Sequence, residues 1–144
     1  MLTDIFDLPR FSQGLQVGDV EYSSMCLCTY ANLYGSVGLP LKPFVEDMKQ
    51  FCEQLELHNQ HQAVAIILPT WQLALNLMGQ SKDTLSLDGE ALDKQSYFMR
   101  FLSGNGEDAR DRGVALYNYE FQRLQLAYIF SDIEQLEIWF RTKT

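Results

Sequence analysis

Positive charge is scarce in this 144-residue chain: eleven Lys and Arg stand against nineteen Asp and Glu, a formal net charge of −8. Such a balance repels phosphate backbones and anionic lipid heads, which argues against nucleic acid or a membrane surface as partner. Long apolar runs are missing too. The longest, residues 63–68, ends at Pro69 and falls well short of the roughly 18 residues a membrane span needs. Residues 1–10 show no basic stretch followed by an apolar core, so no secretory leader is read there.

Cysteine and histidine are equally sparse. Cys26, Cys28 and Cys52 lack the regular spacing of a secreted disulfide framework, and reduced thiols in a cytoplasmic protein fit them best. On a helix Cys26 and Cys28 project about 200° apart, which suits neither a shared metal nor a disulfide-exchange pair, and both are read as buried structural residues. His58 and His61, three apart, are weak candidates for a metal, since two imidazoles usually need a third and a fourth ligand beside them. The chain has no Gly-x-x-x-x-Gly-Lys-Ser/Thr phosphate loop and no His-Arg-Asp catalytic loop. No catalytic residue, metal or cofactor is assigned.

What is present is a globular composition, 47% hydrophobic and 21% charged, in a length that suits one domain over residues 1–144. No segment alternates with period two through β-branched residues, so the chain is expected to be all-α, with about six helices in an antiparallel array of α-hairpins joined by short connections. Gly18 ends one short helix and Asp19 N-caps the next. Residues 20–37 carry apolar side chains around nearly the whole circumference, as in a helix packed on several sides, and Gly35 and Gly38 close it. Pro40 and Pro43 suit a loop and a first helical turn, after which Phe44, Met48, Phe51 and Leu55 form one stripe.

Residues 62–79 read as a further helix, with a kink or break expected at Pro69, where a backbone donor is lost. Asp88-Gly89 precedes a shorter helix over residues 90–102. Residues 109–130 place Leu116, Tyr119, Leu124, Ala127 and Phe130 on overlapping stripes, and Ser131-Asp132 caps a last helix over residues 133–141. Glu90 and Asp93 are expected on one helical face as first-turn acids favoured by the helix dipole. Residues 108–112 form a mixed charge cluster suited to helix initiation and surface ion pairs. Tyr117, Tyr119, Phe121, Tyr128, Trp71 and Trp139 read as core aromatics rather than as a cofactor box.

Two turns, Gly18-Asp19-Val20 and Ser131-Asp132-Ile133, resemble the second half of a tetratricopeptide repeat. A wider resemblance runs from Gly18 to about Phe130. It lies in Gly18-Asp19-Val20-Glu21-Tyr22, Gly38-Leu39-Pro40-Leu41, the long block Trp71-Gln72-Leu73-Ala74-Leu75-Asn76-Leu77-Met78-Gly79, Gly89-Glu90-Ala91 and Leu126-Ala127-Tyr128-Ile129-Phe130. In that order these segments resemble the helical, tetratricopeptide-like repeat region of large signalling proteins that combine a serine/threonine-kinase-like domain, an AAA-type ATPase, GAF and histidine kinase domains. The resemblance implies a scaffold segment within a longer solenoid, with Gly18, Asp19, Pro40, Pro69, Trp71, Asn76, Gly79 and Gly89 as structural landmarks.

The function expected is therefore a non-catalytic protein-interaction or spacer module. Its partner would be another protein or neighbouring domains of the same chain, and self-association through apolar solenoid ends is expected. Two alternatives belong to other classes. One is a ligand-sensing domain with a groove around Pro69 and Trp71; the other is a metal-dependent enzyme using His58 and His61.

Overall fold

A computed structural model describes residues 13, 14, 16–103 and 109–143. The Asp19 carboxylate accepts from the Tyr22 amide at 3.0 Å and so caps α1, Val20–Ser36. Gly18 before it has φ +83, a conformation that glycine adopts without strain. Gly38, at φ +69, follows α1, whereas Gly35 lies inside the helix. Pro40 leads into α2, Leu41–Leu57, and its carbonyl accepts from the Tyr34 hydroxyl at 2.7 Å. The expected stripe buries Phe44, Met48 and Leu55, joined by Cys52, with Phe51 half-buried beside them.

The third helix, α3, His61–Leu77, runs on through Pro69 without the expected break. A proline cannot donate to the carbonyl four residues back. Here that carbonyl belongs to Ala65, and it accepts instead from the Tyr97 hydroxyl at 2.7 Å. The next carbonyl, Ile66, accepts from Asn118 Nδ2 at 2.5 Å. One side chain from later in the chain, Tyr97, thus stands in for the bond Pro69 removes.

Helices α2, α3 and α5 end in the same way, at Asn59 (φ 55), Gly79 (φ 72) and Ser131 (φ 55). In each the amide one residue further on reaches back to a last-turn carbonyl: Gln60 to Leu55, Gln80 to Leu75 and Asp132 to Ala127.

The helix expected over residues 90–102 is shorter and irregular. Asp93 Oδ1 accepts from the Ser96 amide at 2.8 Å and caps α4, Lys94–Tyr97, which continues into a π-helical turn, Phe98–Leu102. Glu90 remains in the preceding connection, so Glu90 and Asp93 share no helical face. That connection, residues 78–93, is also far from short. Beyond it lie α5, Ala109–Ile129, and α6, Ile133–Lys143, the latter capped by Asp132 Oδ1 accepting from the Gln135 amide.

The architecture is all-helical among the described residues, and α3 is its centre, in contact with α1, α2 and α5. Two cores meet on α3. One joins Leu27, Tyr30, Ala31 and Tyr34 of α1 to Phe44, Met48 and Leu55 of α2 and to Val64 and Ile67 of α3. Its rings pack closely, with Tyr34 stacked on Phe44 at 4.7 Å. The second joins Ala65 and Leu73 to Leu87, Leu92 and Tyr97, and to Ala115, Tyr119 and Leu126 of α5. The helix apolar all round and packed on several sides is therefore α3 and not α1, which leaves Met25, 71% exposed, and Leu33 outside.

On α5 the buried row is Ala115, Asn118, Tyr119, Gln122, Leu126 and Ala127. Leu116 and Phe130, expected on the inner stripe, are exposed. Two amides occupy the inner face, and hydropathy alone points it elsewhere.

Candidate functional site

The block Trp71 to Gly79 resolves into a polar clamp. Gln72 and Asn76 sit one turn apart on α3, almost completely buried, and Gln72 Nε2 donates to Asn76 Oδ1 at 2.9 Å. Asn76 Nδ2 donates in turn to the carbonyls of Thr84 at 3.0 Å and Ser86 at 2.7 Å. Gln72 Oε1 accepts from the amides of Ala91 and Leu92 at 3.0 and 3.1 Å. Two side chains therefore hold the otherwise irregular connection 78–93 against α3, with Leu87 and Leu92 buried beneath it. Gly89 is needed there, because a Cβ on it would lie 2.7 Å from Gln72 Nε2. The role of Asn76 and Gly89 is thus to tie down a loop. Gln72, without which the clamp fails, was not singled out by the sequence landmarks.

His58 ends α2 and His61 opens α3, both exposed. Arg100 of the π turn reaches into this corner: its guanidinium donates to Glu56 Oε2 at 2.7 Å and lies 3.0 Å from His61 Nδ1. A second cation at that nitrogen would meet the charge of Arg100. No group of three or more His, Cys, Asp or Glu side chains gathers around a metal-sized space among the described residues. The bond from Arg100 holds the Glu56 carboxyl below its ordinary value, with smaller help from the charges of Arg100 and His61 against a desolvation penalty.

Cys52 is buried, whereas Cys26 and Cys28 are half-buried rather than fully enclosed. Burial pushes the thiols of Cys28 and Cys52 up to about 12, so neither is poised as a nucleophile. Asp108 lies outside the described residues, while Asp111 accepts from Gln62 Nε2 at 2.9 Å and links α5 to α3. Pro69 is buried, and Trp71 is half-buried against a shallow depression lined by Lys49, Cys52 and Glu53. Pro69 does not line that depression.

A different surface is more distinctive. Of the aromatics expected in the core, Tyr119 is buried, but Tyr117 (72% exposed), Phe121 and Tyr128 (76%) lie on the outer side of α5. Tyr117 and Phe121 stack on each other at 6.3 Å. Ile133, Ile138 and Phe140 of α6 are exposed as well, and no side chain of residues 133–142 is fully buried. The last helix packs mainly on α5 and leaves an apolar, aromatic end face. No helix among the described residues is long and apolar enough to cross a membrane. Comparison with protein-family models, with curated proteins and with solved structures finds no match for this chain.

Proposed function

We propose that this chain is a non-catalytic protein-interaction or spacer module that docks through the outer face of α5 and α6. The observation that carries the reading is the exposure of Tyr117, Phe121, Tyr128, Ile133 and Phe140 on a helix pair whose second member buries no side chain completely over residues 133–142. Aromatic side chains in such a patch are typical anchors of a protein interface. The occupant this face fits is the apolar side of another helical segment, as in an array of tetratricopeptide-like hairpins. The resemblance to the repeat region of large signalling ATPases and kinases supports the same reading, with neighbouring domains of a longer cytoplasmic protein as the natural partner. A net charge of −8 speaks against nucleic acid.

In the isolated chain a second copy takes the partner's place, so the test is self-association. Light scattering should show a mass that rises with concentration, and Phe121→Glu with Ile133→Glu should return it to that of a monomer. A strictly monomeric mass at high concentration, or a turnover that depends on one named side chain, would overturn the reading.

A further inference from the structure

We propose that residues 1–12 of this chain dock along the outer stripe of α1 and cover it. The stripe is made by Tyr22, Met25 and Leu33, which are 49%, 71% and 42% exposed, with half-buried Cys26 between them. At about 100° per residue these four fall within one sector of roughly 100°, turned away from the buried row Leu27, Tyr30, Ala31 and Tyr34. An outward helix face ordinarily carries charge, and α2 shows Glu46, Lys49 and Glu53 there. Residues 22–41, by contrast, contain no Asp, Glu, Lys or Arg. A contiguous apolar stripe of this kind marks a surface that something covers.

The occupant follows from the course of the chain just before α1. Residues 13, 14, 16 and 17 are helical, and Gly18 then turns the chain at φ +83. Gly14 is buried against the first turn of α1: its carbonyl accepts from the Asp19 amide at 2.8 Å, and a Cβ on it would collide with Ser23 Oγ. The chain ahead of α1 is thus folded back onto it, and Gln13, Gly14 and Val17 share one depression with Tyr22. Whatever precedes Gln13 sets out from the foot of the stripe.

Length and composition both suit. From Tyr22 to Leu33 the axis of α1 advances roughly 17 Å, and twelve residues cover that distance as a helix of about 18 Å or as an extended strand of about 40 Å. Half of the segment is apolar, with Met1, Leu2, Ile5, Phe6, Leu8 and Phe11 available to the stripe and Asp4, Asp7 and Arg10 to water. Tethering decides between this segment and a second copy. A short link holds a segment at an effective concentration on the order of millimolar, which a separate molecule does not reach in dilute solution.

The test is methionine oxidation of the full chain by hydrogen peroxide, followed by mass spectrometry, with each rate divided by that of the same residue in urea. Met99, 68% exposed, is the reference for a methionine in open solvent, and Met25 at 71% would match it if nothing covered α1. Under the cover Met25 should react about fivefold more slowly than Met99, and equally so in dilute and in concentrated protein. Ile5→Glu with Phe6→Glu should bring Met25 back to the rate of Met99. Should that variant fail to fold, nuclear Overhauser contacts from the methyl groups of Leu2 and Ile5 to those of Met25 and Leu33 in the unaltered chain decide. Equal rates at Met25 and Met99, protection that fades on dilution and so belongs to a second copy, protection that survives the double substitution in a folded protein, or absence of those contacts would each overturn the proposal.

Discussion

Tyr97 supplies to the Ala65 carbonyl the hydrogen bond that Pro69 cannot give. The contact spans 2.7 Å between buried groups, and burial pushes the Tyr97 hydroxyl well above its ordinary ionisation range, so it stays a donor at any practical pH. Tyr97→Phe should therefore cost about 1–3 kcal/mol, the usual penalty for stranding a buried carbonyl, read as a lower midpoint in urea unfolding. Pro69→Ala restores an amide four residues after Ala65. In that background Tyr97→Phe should cost less than half as much, and equal costs in the two backgrounds would contradict the pairing.

The clamp of Gln72 and Asn76 makes a local prediction. Gln72→Leu removes the acceptor for the amides of Ala91 and Leu92. Hydrogen exchange should then speed up at those two amides well before global unfolding, with a loss of about 1–3 kcal/mol overall. Gly89→Ala should produce a similar loss by a different route. The added methyl would press on an amide already held by Asn76, Ala91 and Leu92, which cannot step aside cheaply.

The ion pair of Glu56 and Arg100 predicts a pH dependence. The folded state holds the Glu56 carboxyl below its ordinary value near 4.5. Its stabilising contribution is therefore fully present above that ordinary value and is lost as pH falls through the lowered folded-state value. The two side chains are 39% and 45% exposed, so Glu56→Gln should cost only about 0.2–1 kcal/mol at neutral pH. The gap between variant and parent should close in acid, measured as thermal midpoints from pH 7 downward; a gap that stayed constant would refute the assignment.

Thiol chemistry provides a further check on packing. With ionisation near 12 against an ordinary 9.0, Cys28 and Cys52 hold about a thousandfold less thiolate at pH 8 than free cysteine. Disulfide-exchange reagents should modify both far more slowly in the native protein than in urea, followed residue by residue by mass spectrometry.

Much of this fold can be read from local chemistry. Asp19 and Asp132 announce their helices because a short acidic side chain at that position satisfies a free amide. The row Phe44, Met48, Leu55 shows its inner face because every residue on it is apolar. The failures share a cause. Residues 109–130 bury Asn118 and Gln122, and a reading that equates inside with apolar cannot find a face built partly on amides. The same blindness hides Gln72 in the clamp, since the amides it accepts from lie 19 and 20 residues away. Pro69 was legible as a lost donor, but that Tyr97 would make it good was not, because nothing local links the two.

The position of α3 between two cores also fixes an order of events during synthesis. As the chain emerges, α1, α2 and one side of α3 can gather around Leu27, Phe44 and Ile67 as soon as residue 77 is available. The other side of α3, with Ala65 and Leu73, has to wait for residues 87–126. During that interval the half-made protein presents an uncovered apolar stripe and the stranded carbonyl of Ala65 to whatever is nearby. A pause once the chain has emerged to about residue 80 should therefore favour aggregation or chaperone capture, and one after it has emerged beyond about residue 130 should not.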